Sequence, residues 1–252
     1  MNLKQMELSM AVCPPVFLSR CLLSLLLGVV LLLLPGCAQK NLMPHDDISG
    51  RLWLRTSNQL EGLEGFFTGT DGQLLLVNEL AADGISWALQ DDRLVLWLHA
   101  EDLAVGQSAE YHPLLIEGKL VLSPDLAKGS AGYVAETLQE PLSNIDYFPT
   151  YLRGSPDRSP GKDNPPVYLQ LDAGDKSLRG YGGVNNFRGS YQRTGAVGFK
   201  VGPMATTMMA GPRMDYETKL LQCLDQADAM LPLGKRLFFY QNARLLCSFS
   251  AD

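Results

Sequence analysis

The sequence predicts a mainly β protein with one helix (α+β), arranged as two small antiparallel domains. Three observations carry this. From about Ile48 to Glu140 the apolar residues fall in short alternating runs between turn residues, with almost no helical periodicity. Only one later segment changes period, with Tyr216, Leu220, Cys223, Leu224 and Ala227 spaced by three and four. A break at Pro141 separates the two regions.

In the first region, residues 48–140, Ile85, Trp87 and Leu89 share one strand face, and Leu94, Leu96 and Leu98 share the next across Asp91-Asp92. Tyr111–Ile116 and Lys119–Ser123 flank Glu117-Gly118, and Asp71-Gly72 sits between Phe66–Thr70 and Gln73–Val77 as a hairpin signal. Strands at this spacing predict a small antiparallel barrel or curled sheet.

The second region, residues 141–252, contains a proline-rich stretch over 153–166 that reads as an internal loop, after an expected strand over Asp146–Leu152. Val167–Leu171, Ser177–Tyr181, Phe187–Tyr191 and Gly198–Val201 read as strands. Pro212–Asp215 opens a helix that Pro232 and Gly234 are expected to stop. Arg236–Tyr240 and Arg244–Ser250 form a hairpin over Gln241-Asn242, with Leu245, Cys247 and Phe249 facing inward.

Composition narrows the function classes. The formal net charge is −6, with no basic run, which excludes binding to nucleic-acid backbones. His45, His99 and His112 are the only imidazoles, and none has a histidine or cysteine at metal-ligand spacing. His99 and His112 could be neighbours across two strands, yet without a cysteine or carboxylate cluster no metal site is expected. No Gly-x-Ser-x-Gly elbow occurs, so no catalytic residue is assigned and a non-enzyme is expected. No cofactor is implied. The glycines at 180, 182 and 183 do not open into a helix, so they read as backbone adaptation and not as a phosphate loop.

The amino terminus bears on location. Lys4 and Arg20 precede an apolar run from Cys21 to Leu34, broken only by Ser24 among polar residues and ended by Pro35-Gly36. This is a secretory leader pattern over residues 1–36, short for a spanning helix, which needs about 20 apolar residues. Leu34-Pro35-Gly36-Cys37 resembles the lipobox of bacterial lipoproteins. That resemblance implies cleavage before Cys37, lipid on Cys37, and residues 37–47 as a tether between the membrane and the folded part. Ala38 implies the outer membrane, facing the periplasm, in a host with two membranes. Cys223 and Cys247 are the other cysteines beyond the leader. In an oxidising compartment they pair as a disulfide or remain as small core hydrophobes.

Within the second region, Gly180-Tyr-Gly-Gly-Val-Asn-Asn-Phe-Arg-Gly-Ser-Tyr191 is followed by Gly202-Pro-Met-Ala-Thr-Thr-Met-Met-Ala-Gly-Pro212 and Glu217. These blocks resemble the META domain family, which includes the HslJ-type heat-shock lipoproteins. The resemblance implies a curled antiparallel sheet packed on one helix and a link to stress tolerance. It also singles out Gly183, Asn185, Phe187, Gly189, Tyr191, Thr207, Met209 and Glu217 as motif positions, structural or binding in role. Val184 and Gly211 stand where the family motifs carry cysteine, a joint loss that fits two positions in contact, and Met208 replaces an arginine. Cys223 and Cys247 are then candidates for a relocated staple. Met204, Met208, Met209 and Met214 either pack beneath the helix start or form a shallow binding patch.

The first region also has a likeness to the barrel of NlpE-type copper-stress lipoproteins, through Gly84-Ile-Ser-Trp87, Arg93-Leu-Val-Leu96 and Lys119-Leu-Val-Leu122. It lacks their Cys-x-x-Cys. The expected function is a lipid-anchored envelope protein acting as a stress-protection or binding module. The alternatives are a scaffold or inhibitor-like protein engaging another envelope protein, and a carrier of a small apolar ligand.

Overall fold

The structure is a computed structural model and describes residues 43–56, 64–77, 82–91, 93–100, 107–123, 131–155 and 165–251. The leader, Cys37 and the tether up to residue 42 lie outside the described residues, as does 156–164 of the proline-rich loop. No described helix is long and apolar enough to cross a membrane.

The N-terminal half begins with a short helix, α1 (His45–Ile48). Eight strands follow: β1 (Arg51–Arg55), β2 (Gly65–Thr68), β3 (Leu74–Val77), β4 (Ala82–Gln90), β5 (Arg93–Ala100), β6 (Gln107–Ile116), β7 (Lys119–Ser123) and β8 (Ala131–Glu136). They form one antiparallel sheet in the order β3-β2-β1-β8-β7-β6-β5-β4. A bridge between Gln73 and Ser86, and a bond from Trp87 N to Gly72 O (2.9 Å), bring the two ends together into a nearly closed barrel. Trp53, Phe66, Leu74, Trp87, Leu96 and Leu120 belong to its buried core. The α1 segment packs against this core: Trp53 Nε1 donates to Ile48 O (3.2 Å), and the His45 ring stacks on Trp87 at 4.7 Å.

The C-terminal half contains β9 (Phe148–Leu152), β10 (Tyr168–Asp172), β11 (Ser177–Tyr181), β12 (Asn186–Thr194), β13 (Gly198–Val201), β14 (Ala205–Thr206), α2 (Met214–Gln226), β15 (Ala229–Leu233), β16 (Arg236–Gln241) and β17 (Arg244–Ser250). The order is β10-β11-β12-β13-β15-β16-β17-β9, with β14 on β12. Helix α2 lays Leu220, Cys223 and Leu224 against this sheet, among Phe199, Met230, Phe239 and Phe249. A Cys223–Cys247 disulfide ties the helix to β17.

The helix ends at Gln226, six residues before the proline expected to stop it. Residues 229–233 form β15 instead. Pro232 is tolerated there because β13 reaches β15 only at Gly198–Ala229. The proline's missing N–H therefore falls beyond that ladder, as at a sheet edge.

Strands β2 and β3 are buried at every position rather than on alternate ones. One face fills the barrel. The other, carrying Phe67, Leu75 and Val77 with Leu52 of β1, packs on Ala229, Leu231, Phe238 and Tyr240 of the second sheet. Full burial of such a side chain contributes about 1.5–3 kcal/mol. Tyr240 O–H donates to Leu76 O across this layer (2.9 Å). At its edge buried Asp83 accepts from Arg153 (2.6 Å) and from Leu245 N (3.1 Å). Residues Leu42–Asp252 accordingly form one compact unit.

His99 and His112 are not neighbours. The register sets His99 opposite Asp83 and His112 opposite Ser123. Among the described residues no group of three His, Cys, Asp or Glu side chains converges as a metal site.

Candidate functional site

The motif residues meet where the turn between β11 and β12, the segment 202–211 and the first turn of α2 come together. Gly182 allows the contact, because a Cβ there would lie 2.5 Å from Glu217 Cγ. Gly183 turns the chain with φ +117°, a conformation that favours glycine. The next two amides then point at the Glu217 carboxylate. Val184 N donates to Oε2 at 2.9 Å and Asn185 N to the same oxygen at 2.6 Å.

Asn185 links all three segments. Its Nδ2 donates to Glu217 Oε1 (2.8 Å) and Met209 O (3.0 Å), while its Oδ1 accepts from Thr207 Oγ1 (2.8 Å) and Met209 N (2.7 Å). Thr207 Oγ1 also accepts from Asn186 N (3.2 Å). Asn185 and Glu217 are each 3% exposed. A buried carboxylate is tolerated because donors satisfy it. The same bonds leave neither group placed to act on a substrate, so the cluster is a polar knot that fixes backbone.

The remaining motif positions serve packing. Phe187 is buried beneath Gly180, where a Cβ would lie 2.5 Å from the ring. Gly189 lets Pro203 and Met204 cross close over β12, with a virtual Cβ 3.1 Å from Met204 Cγ. Tyr191 is buried against Phe199, and its hydroxyl donates to Asp172 O (3.1 Å). Its phenol is pushed up to about 12, first by burial and then by the Glu140 carboxylate. Tyr240, buried between the sheets, is shifted upward chiefly by the same desolvation.

Unfolded tyrosine ionises near pH 10, so above that value the unfolded chain releases protons that the native state keeps. Stability is therefore full below about pH 10 and falls as pH rises toward about 12. Urea midpoints measured at intervals from about pH 8 to about 11.5 should decline only over the upper part of this range. A flat profile contradicts the burial of these phenols.

Val184 and Gly211, where the family motifs carry cysteine, face each other. A Cβ built on Gly211 lies 3.6 Å from Val184 Cβ. Disulfides need Cβ atoms about 3.5–4.5 Å apart. The double substitution Val184→Cys, Gly211→Cys is thus expected to close a new disulfide without reshaping the fold. Thiol counting on the unfolded, unreduced protein checks it, and two additional free thiols would contradict the geometry.

The knot displays its surroundings outward. Met208 is 98% exposed and Met209 56%, so these two do not pack beneath the helix start; Met204 does pack on the core. Beside them a groove of about 540 Å³ runs over the outer face of β10, β11, β12 and β14. Its lining includes Tyr168, Arg179, Asn186, Arg188 and Thr206. Sequence reading did not single out Tyr168, Arg179 or Arg188. The usable signal was that each arginine falls on the outward phase of its strand, on either side of the glycine turn.

Residues 140–251 match the META domain family. The match starts after the first sheet and so gives the NlpE-type likeness of the N-terminal barrel no support. No curated protein matches the chain. Among solved structures, an NMR structure of a protein from Burkholderia xenovorans is similar at 17% identity and a TM-score of 0.34, covering 46% of this chain and 93% of its own. The family match thus falls on residues 140–251, the C-terminal half of the chain, which resembles a META domain.

Proposed function

We propose that this protein is a non-enzymatic binding module of the bacterial envelope, lipid-anchored through Cys37 and acting in stress protection. A META domain fits a stress-related or binding role. One observation carries the binding reading. The polar motif groups Asn185, Thr207 and Glu217 are satisfied by one another, and what they hold out to solvent is Met208, Met209 and the adjoining groove. Methionine side chains are flexible and polarisable, which suits contact with an envelope partner of variable shape.

The anchor follows from the Leu34-Pro35-Gly36-Cys37 pattern, and stable attachment takes more than one acyl chain. In a two-membrane host Ala38 favours the outer membrane. A role as carrier of an apolar ligand in the first barrel is disfavoured, because Trp53, Phe66 and Trp87 already occupy its core.

Two measurements test the proposal. Intact mass of the envelope form should show a chain beginning at an acylated Cys37, and Cys37→Ser should abolish both cleavage and acylation. Capture from solubilised envelopes should yield a stoichiometric protein partner that is lost with Met208→Glu and Met209→Glu. An unacylated native protein overturns the anchor. Capture unaffected by both methionine changes, or turnover of a substrate abolished by one polar-to-alanine change, overturns the binding reading.

A further inference from the structure

The groove beside the methionines carries charge of a kind the rest of the molecule does not lead one to expect. Arg179 of β11 and Arg188 of β12 are direct register partners, and both are exposed. Like charges directly opposite on neighbouring strands are destabilising. Arg179 Nε donates to neutral Gln170 Oε1 (2.6 Å), and Gln170 Nε2 in turn donates to Asp146 Oδ1 (2.5 Å). The Asp172 carboxylate accepts from the Asn144 side chain at 2.8 Å and makes no ion pair with Arg179 among the described residues. The Arg188 side chain makes no hydrogen bond or ion pair with any described residue, its strand pairing being by backbone alone.

The pair thus stands in a chain of net charge −6 without a carboxylate between its members. Opposed residues on antiparallel strands have Cβ atoms about 5 Å apart, so two planar guanidinium forks can converge on one group. The surroundings suit a ligand larger than a bare ion. Gly180, the buried residue after Arg179 on β11, forms part of the lining, as does the aromatic Tyr168, and Asn186 and Thr206 add exposed polar groups. A volume of about 540 Å³ lies within the usual range for small-molecule sites.

We infer that this groove binds an oxoanion, the carboxylate or phosphate group of a small molecule or lipid headgroup, between Arg179 and Arg188. Bidentate bonding from the guanidinium groups supplies the recognition, and Gln170 holds Arg179 in position. The net negative charge of the protein gives no long-range attraction, so binding depends on these short contacts and weakens with salt. This assignment rests on the binding reading of the same face and adds the ligand class to it.

The test uses the full chain in neutral detergent, titrated with inorganic phosphate and followed by backbone NMR. Shifts are expected at residues 168, 179–180, 186–188 and 205–206. Arg188→Gln and Arg179→Gln should each weaken binding about tenfold or more. At low salt and without phosphate, Arg188→Gln should also raise the melting temperature, because it removes the opposed charge.

Glycerol phosphate and phosphatidylglycerol vesicles then separate the sources. Arg188-dependent binding of the soluble ester alone assigns a free ligand, and Arg188-dependent binding of the vesicles assigns a headgroup. Unchanged phosphate affinity in both arginine variants, or shifts confined to other surfaces, overturns the inference. Partner capture that still depends on Met208 and Met209 would, in that event, leave the binding-module reading standing.

Discussion

Glu217→Ala is expected to destabilise the protein by about 4 kcal/mol, a large share of the roughly 5–15 kcal/mol that holds a domain folded. The change removes a buried carboxylate that accepts from Val184 N, Asn185 N and Asn185 Nδ2, leaving both backbone N–H groups without a partner in a site closed to water, while Asn185 Nδ2 keeps its bond to Met209 O. Hydrogen bonds to charged groups contribute about 1.5–3 kcal/mol each, and they are not additive within one cluster. Glu217→Gln should fall between, at about 2 kcal/mol, because its amide keeps one acceptor but turns a donor toward other donors. Asn185 cannot rotate to accommodate it, since its Oδ1 is fixed by Thr207 and Met209 N. Urea unfolding of the two variants gives the comparison. A Glu217→Ala midpoint equal to that of the parent would mean the carboxylate is not satisfied in the way described.

Removal of the Cys223–Cys247 disulfide by paired substitution to alanine should cost about 3 kcal/mol, the entropy expected for releasing a loop of this size in the unfolded chain. The bridge spans a sequence separation of 24 and encloses the end of α2, β15 and β16. Both sulfurs lie in the second core, with Cys223 5% and Cys247 0% exposed. Alanine leaves little excess cavity there, so most of the loss should come from the unfolded state. The parent should show the same loss on adding reductant, and the Cys223→Ala, Cys247→Ala variant should be insensitive to it. A parent midpoint that reductant leaves unmoved would contradict a bridge between these residues.

The elements legible in the sequence were those whose pattern is local. Asp71-Gly72 and Glu117-Gly118 each turn a hairpin, and the stripe of Leu220, Cys223 and Leu224 does face the second core. Contacts between distant segments left weaker traces. Phe67 and Leu75 gave no alternation because they face the second sheet while Phe66 and Leu74 face the barrel. Pro232 reads as a helix stop, and only the short reach of β13 reveals it as a strand residue.

At the site, the motif spacing identified Asn185, Thr207 and Glu217 but not their task. A carboxylate near a glycine turn has the same sequence signature whether it performs chemistry or caps amides. The outward methionines were one of two readings left open by their clustering, and packing beneath them decides between the two. The Arg179–Arg188 pairing is a property of register, visible only once β11 and β12 are aligned across the turn.

The buried motif residues form a scaffold, and on the function proposed above binding belongs to the surface they hold out. A double-mutant cycle over Asn185→Ala and Glu217→Ala, read by urea unfolding, tests it most directly. Two groups sharing a buried hydrogen bond should show a coupling energy of about 1–3 kcal/mol, with each single variant clearly less stable than the parent. Additive losses, or single variants of parental stability that have lost a catalytic turnover, would contradict the scaffold and return these residues to chemistry.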